Sequence, residues 1–140
     1  MMNDASLHLG GAMVEGWEQR WDQKWFKVEG GLTFHQTSLN SVVGVYRFSY
    51  GGKVVVIGNA TARTGGLAKR LSDFRRDSDN ARRTYAGRLS YQHRAQIVVE
   101  VLITGNDQDA RVTASLLKDW MIQRHKPLWT STYGLSKRKR

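Results

Sequence analysis

Residues Gly44–Asn59 read "GVYRFSYGGKVVVIGN". Two apolar runs flank Gly51-Gly52, and a Gly-Gly pair suits a two-residue hairpin loop, whose central residues need φ above zero. In the first run, Val42 to Tyr50, Val43 and Val45 point one way while Tyr46, Phe48 and Tyr50 point the other. That is the period of a strand. The second run, Lys53 to Ile57, is apolar almost throughout. It is therefore expected at the centre of its sheet, covered on both faces. Each run also carries a glycine, Gly44 and Gly58. Glycine inside a strand marks a place where backbone or ligand comes close.

Downstream, Leu67, Leu71 and Phe74 recur at i, i+4, i+7 and predict a helix over 66–76, with Arg70 at the edge of its apolar stripe. Residues 79–91 hold another helix or an ordered loop. Gln96 to Ile103 alternates cleanly: Ile97, Val99, Val101 and Ile103 face one side, Val98, Glu100 and Leu102 the other. This is a third strand. Thr104-Gly105-Asn106-Asp107 reads as a turn and helix cap. Ala110, Ala114, Leu117 and Met121 then follow helical spacing to Gln123 or Arg124, and Pro127, the only proline, stops that helix.

Upstream, residues 1–12 show no period. Trp17, Trp21 and Trp25 fall at i, i+4, i+8, which lines one face of a helix. They cap the core, form a surface for self-association into a homo-oligomer, or stack on bases. Gly30-Gly31 ends that element, and Leu32 to Gln36 reads as a short strand. The fold class is α+β: a small three-stranded antiparallel sheet flanked by helices. The chain divides into an N-terminal extension (1–40), the main domain (41–134) and a basic tail (135–140).

The chain carries 22 Lys plus Arg against 12 Asp plus Glu, a net charge of +10, with a pI of about 10.3. A pI above about 9 is the electrostatic footprint of nucleic-acid binding. From Arg63 to Arg94 nine basic residues face three acidic ones, and the chain ends Lys137-Arg138-Lys139-Arg140. Arginine dominates the middle cluster, and its planar fork suits bidentate phosphate contacts. Candidate nucleic-acid contacts are Lys69, Arg75, Arg76, Arg82, Arg83, Arg88 and Arg94. There is no cysteine, hence no disulfide framework and no cysteine-based zinc site. No window reaches about 18 apolar residues, so no membrane span is expected. With no signal-peptide pattern, a cytoplasmic location is expected.

Taken in order, these motifs resemble the GIY-YIG nuclease family. Gly44-Val45-Tyr46 matches the first triplet and Val56-Ile57-Gly58 the second. Leu67-Ala68-Lys69-Arg70-Leu71 matches the helix segment that carries the family's catalytic arginine, at Arg70. Leu117 to Trp129 resembles the last helix and its Pro-ended exit. The resemblance spans about 42–130. It implies a three-stranded sheet with helices, and a phosphodiesterase site in which a tyrosine and the arginine organise phosphate and water. It also implies one glutamate on the last helix that holds Mg²⁺ or Mn²⁺.

The chain departs from that pattern at three positions. Val56 stands where the second triplet has tyrosine, Lys118 where the family has its glutamate, and Thr130 where an asparagine commonly follows the proline. A lysine cannot ligate Mg²⁺ at neutral pH and repels it. Three substitutes are open: Asp119, turned about 100° around the helix; Glu100, on the second face of its strand; or Lys118 itself, holding a phosphate in place of a cation. The expected function is nucleic-acid binding, DNA before RNA, on a nuclease fold whose hydrolysis is in doubt. The alternatives are an active endonuclease with an altered or metal-independent site, and a basic domain for an acidic protein partner. Candidate catalytic residues are Tyr46, Arg70, Lys118 and His93, the last as a proton carrier.

Overall fold

A computed structural model of the chain describes residues 15–62, 64–76 and 83–129. The residue-level expectations for Arg82, Thr130 and the tail 135–140 lie outside that range. The expected hairpin is present: β2 (Val43–Tyr50) and β3 (Lys53–Ala60) pair antiparallel around Gly51-Gly52, whose φ values are 61° and 80°. Tyr46 faces Gly58, and Phe48 faces Val56. A bulge after Phe48 puts both Val55 and Val56 into the same core cluster as Phe48. β3 thus runs through Gly58 to Ala60, three residues further than expected.

The third expected strand is β4 (Val98–Gly105), antiparallel to β2 on its other side. The sheet then has a fourth member, so the three-stranded expectation is corrected. Phe26–Lys27, β1, pairs with Val101 and Glu100 of β4. The order is β1-β4-β2-β3. β3 is therefore an edge strand, not a central one. It is apolar because helices cover both of its faces, so its composition reports layers rather than neighbours. Its outer edge is partly occupied, since the amides of Leu128 and Trp129 donate to the carbonyls of Val54 and Val55 at 3.2 and 2.8 Å.

One face of the sheet carries α2 (Gly66–Arg75) and α3 (Tyr85–Gln92). Leu67, Ala68, Leu71 and Phe74 pack there against Tyr46, Phe48, Val99 and Val101. Thr84 caps α3 by accepting from the Gly87 amide at 2.9 Å. The other face carries α4 (Gln108–His125), capped by Asp107, whose carboxylate accepts from the Ala110 amide at 2.9 Å. Ala110, Ala114, Leu117 and Met121 pack against Val43, Val45, Ile57 and Leu102. The helix ends as Lys126 turns left-handed, φ 49°, ahead of Pro127.

The tryptophan stripe is not one helix. α1 covers only Trp17–Trp21, and the chain leaves it at Asp22. The Asp22 carboxylate takes the Trp25 indole N–H at 2.8 Å and lies 2.8 Å from His125 Nε2 and 3.6 Å from Arg124 Nε. Trp25 turns instead onto the Arg47 guanidinium, 4.3 Å from ring to Cζ. Trp17 and Trp21 are 4% and 7% exposed, buried in the α4-side core. Leu32–Gln36 forms no strand. It leads into a 3-10 turn at Thr37–Leu39, with Leu32 and Leu39 buried in the α2-side core.

Candidate functional site

The two odd glycines make room for the protein's own atoms. A Cβ on Gly44 would run into the Leu102 carbonyl and come 3.1 Å from Leu67 Cδ1. Glycine there lets β4 and the first turn of α2 close onto β2, a junction also held by the Leu67 amide donating to the Val42 carbonyl at 2.8 Å. A Cβ on Gly58 would clash with the Tyr46 hydroxyl and the ring carbon that bears it. Glycine at 58 thus lets a phenol rooted on β2 lie across the neighbouring edge strand, so that its hydroxyl emerges near the sheet edge.

Arg70 meets it there. Its Nε–H donates to Tyr46 Oη at 3.4 Å, and its Nη1 lies 3.6 Å from Asp73 Oδ2, one helical turn on. The phenol ring is held from behind by Phe48 and Phe74, with centroids at 5.2 and 5.6 Å in tilted and edge-on contact. Such geometries are the favoured ones for aromatic pairs. Tyr46 is 2% exposed, while the Arg70 side chain keeps 44% of its surface. Burial pushes the Tyr46 phenol above its ordinary value of 10.0, with the Arg70 charge pulling the other way. Tyr46 is therefore a neutral hydroxyl at neutral pH. Arg70 is held above its ordinary range, chiefly by the Tyr46 charge once that forms, against the cost of burial. The phenol oxygen accepts from arginine, which leaves its hydrogen to donate. The guanidinium keeps donors facing solvent. The exposed guanidinium carries a fixed positive charge, with a neutral hydroxyl buried directly behind it, and such a charge suits an anion.

The other expected site residues are placed differently. Val56 lies on the same sheet face as Tyr46, 3% exposed and opposite Phe48. An aliphatic side chain completes the core where a second phenol is absent. Lys118 stands on α4, which packs on the opposite face of the sheet, and its ammonium reaches Asp119 Oδ1 at 3.6 Å. His93 ends α3 and stacks on Tyr50 at 4.6 Å, with Trp129 at 6.0 Å. Tyr50 is four residues along β2 from Tyr46, about 13 Å at the usual strand rise. His93 and the Tyr46–Arg70 pair thus occupy different parts of the strand.

Lys69, Arg76, Arg83 and Arg88 are exposed on or beside α2 and α3, the same layer that carries Arg70. Arg75 is half-buried, with Nη2 donating to Ser72 Oγ at 3.4 Å. Arg94 turns inward: its Nη1 donates to the Tyr91 carbonyl at 2.7 Å and its guanidinium stacks on the Tyr91 ring at 4.1 Å.

The residues do not fit the divalent cation that the family resemblance implies. Residue 118, where the resemblance would place a glutamate, is a lysine. Glu100 is occupied by Arg47, which donates from Nε and Nη2 to Oε1 at 2.9 and 2.7 Å. Asp119 is paired with Lys118 and 72% exposed. Among the described residues no group of three or more His, Asp or Glu is placed to hold a metal ion.

The family resemblance singled out Tyr46 and Arg70 and left two further contacts unread. Asp73 was readable as an i+3 partner of Arg70 on a helix. Asn59, whose amide donates to Ser115 Oγ at 3.4 Å across to α4, depends on a register that spacing alone does not fix. Compared with protein-family models, with curated proteins and with solved structures, the chain finds no match.

Proposed function

We propose that this protein binds nucleic acid, DNA in the first instance, through the edge of its sheet, and that it does not hydrolyse it by a metal-assisted route. The observation that carries this reading is the Tyr46–Arg70 pair laid over Gly58: a neutral hydroxyl and an exposed guanidinium at one point of a sheet edge. A phosphodiester suits the guanidinium, since its oxygens accept from the N–H groups there. The exposed Lys69, Arg76, Arg83 and Arg88 extend positive charge over the same layer, and the net charge of +10 supplies sequence-independent attraction.

In this reading the fold is that of the GIY-YIG nucleases, to which the two triplets and the arginine helix are similar. Val56 and Lys118 have removed a phenol and a metal ligand. What remains positions phosphate, and Lys118 adds positive charge where the family has a carboxylate. Tyr46 and Arg70 orient a bound phosphate. The chain supplies no carboxylate at residue 118 to stabilise a leaving oxygen through a cation.

The test is a plasmid assay run beside a mobility shift. Supercoiled plasmid incubated with protein in Mg²⁺, in Mn²⁺ and in EDTA is expected to stay intact, while a labelled duplex shifts at low salt and is released as salt rises. Metal-dependent nicking would overturn the loss of hydrolysis. Absence of any shift at low salt would overturn binding. Lys118→Glu examines the family alignment: nicking gained in Mg²⁺ and abolished by EDTA is the expected result if residue 118 occupies the glutamate position.

A further inference from the structure

An open groove of about 310 Å³ lies where the end of β3 meets the first turns of α4. Its lining is Thr61 from the strand end and Gln108, Arg111, Val112, Ser115 and Leu116 from the helix. No carboxylate is among them. Arg111 is pre-set: its Nε and Nη2 donate to Gln108 Oε1 at 3.1 and 2.7 Å. That holds the fork in place and leaves further N–H groups of the guanidinium to donate. Ser115 Oγ accepts from the Asn59 amide, so its own hydrogen can donate outward. Arg111, Ser115 and Lys118 are spaced i, i+4, i+7 and share one stripe of α4. The Lys118 ion pair with exposed Asp119 is a weak competitor for that ammonium. The other wall is apolar and open, with Val112 and Leu116 at 48% and 41% exposure.

This groove and the Tyr46–Arg70 pair flank one strand. Gly58 lies beneath the Tyr46 hydroxyl on one face. Asn59, the next residue, points to Ser115 on the other face, because successive side chains on a strand alternate. β3 is the sheet edge, so among the described residues no further strand separates the two positions.

We propose that a nucleic-acid strand bound at Tyr46–Arg70 crosses the edge of β3 and seats a second phosphate in this groove, held by Arg111 and Ser115, with Lys118 reaching it from beyond the lining, further along the same stripe of α4. Val112 and Leu116 then meet the sugar. The proposal rests on the nucleic-acid reading above and adds a second, separate contact to it. The positive charge at residue 118, out of place as a metal ligand, here becomes one arm of a phosphate clamp.

The experiment is the salt dependence of affinity, measured by fluorescence anisotropy on the full chain with labelled 20-mers of single-stranded DNA, duplex DNA and single-stranded RNA. Each lost phosphate contact lowers the slope of log K against log salt by about 0.9 for duplex and about 0.7 for single strands. Arg111→Gln and Lys118→Gln are each expected to lower the slope by about that amount, with an unchanged melting temperature, as does Arg70→Gln. Arg20→Gln, at an exposed position of α1, is the control and leaves the slope intact. If Arg70→Gln lowers the slope but Arg111→Gln and Lys118→Gln do not, the groove is overturned and the binding reading stands. If Arg20→Gln lowers the slope as much as the groove variants, binding is diffuse and the groove is again overturned. If no probe binds at low salt, the nucleic-acid reading itself falls. A loss seen only with RNA would keep the groove and reassign the strand it takes.

Discussion

The two faces of the sheet are built from different materials. The α2 side is aromatic: Tyr46, Phe48 and Phe74 touch one another, with Arg70 over the Phe74 ring at 5.3 Å. On the other side the strands are aliphatic where α4 covers them, with Val43, Val45, Ile57 and Leu102 against Ala110, Ala114, Leu117 and Met121, and the rings of that core, Trp17 and Trp21, come from α1. Both faces bury apolar area; on the α2 side the rings themselves set a phenol oxygen in place, whereas on the α4 side the aliphatic block under the helix sets none and the fixed polar contact is the Arg47–Glu100 pair beyond it. A tyrosine wedged by two rings has few positions for its hydroxyl, whereas methyl groups packed on methyl groups fix no polar contact. Besides the Arg47–Glu100 pair on the sheet, polar groups of the α4 side lie on the flank of the helix, at Arg111, Ser115 and Lys118.

The sharpest way to break this contrast is to hollow out each face in turn. Phe48→Ala is expected to cost about 3–5 kcal/mol and Leu117→Ala about 2–5 kcal/mol, both measurable by chemical denaturation. The difference should appear in binding. In the Leu117→Ala background, Arg70→Gln is expected to reduce nucleic-acid affinity by the same factor as in the wild type. In the Phe48→Ala background it should reduce it further by little, because the phenol has already lost its support. Equal factors in both backgrounds would mean that the rings do not position the site.

A smaller effect is expected at the crossing point. Gly58→Ala adds a methyl where the Tyr46 hydroxyl lies, and should cost about 1–3 kcal/mol through overpacking. Tyr46→Phe in the same chain removes the hydroxyl and should recover part of that loss. A double variant no more stable than Gly58→Ala alone would show that the added carbon does not meet the phenol.

On the aliphatic side the sheet carries one internal ion pair, Arg47 with Glu100. Glu100→Gln should cost about 1.5 kcal/mol, the scale of a hydrogen bond to a charged group. It should leave Arg70-dependent binding unchanged.

The smallest effect is alkaline. The Tyr46 pKa is raised on folding, chiefly by burial, so the folded state favours the neutral phenol. Stability from this group is present below the ordinary value of 10.0 and is lost as pH rises through the folded pKa. Tyr46→Phe should flatten that decline. Ultraviolet titration should show one tyrosine ionising after the others, and a decline unaltered by Tyr46→Phe would place its origin elsewhere.

Much of this architecture was legible in the sequence, for local reasons. The Gly51-Gly52 turn, the alternation in β2 and β4, the i, i+4, i+7 stripe of α2 and the Asp107 cap each depend on residues near one another. What was not legible depends on partners far away. β1 is two exposed residues, Phe26 and Lys27, with no period of their own, paired only because β4 lies beside them. The tryptophan spacing fits a helix over two turns, yet the chain turns at Asp22 because that carboxylate binds Trp25 and meets His125 more than 100 residues away. Of the candidate site, Tyr46 and Arg70 were singled out by the family resemblance. The withdrawal of Glu100 was not, because the register that sets Arg47 opposite it comes from the sheet.

The two hydrogen bonds from Leu128 and Trp129 to β3 carry a consequence for how copies of this chain meet. An open edge of Val54, Val55, Val56 and Ile57 would be a template for pairing with a second sheet, and proteins blunt such edges. Here the start of that edge is already taken by the chain's own backbone, while the opposite edge, β1, is two residues long and ends in Lys27. Edge-to-edge assembly through the start of β3 would first have to peel off the Leu128–Trp129 segment. A chain cut after Lys126 would lose that guard and is expected to aggregate through this strand.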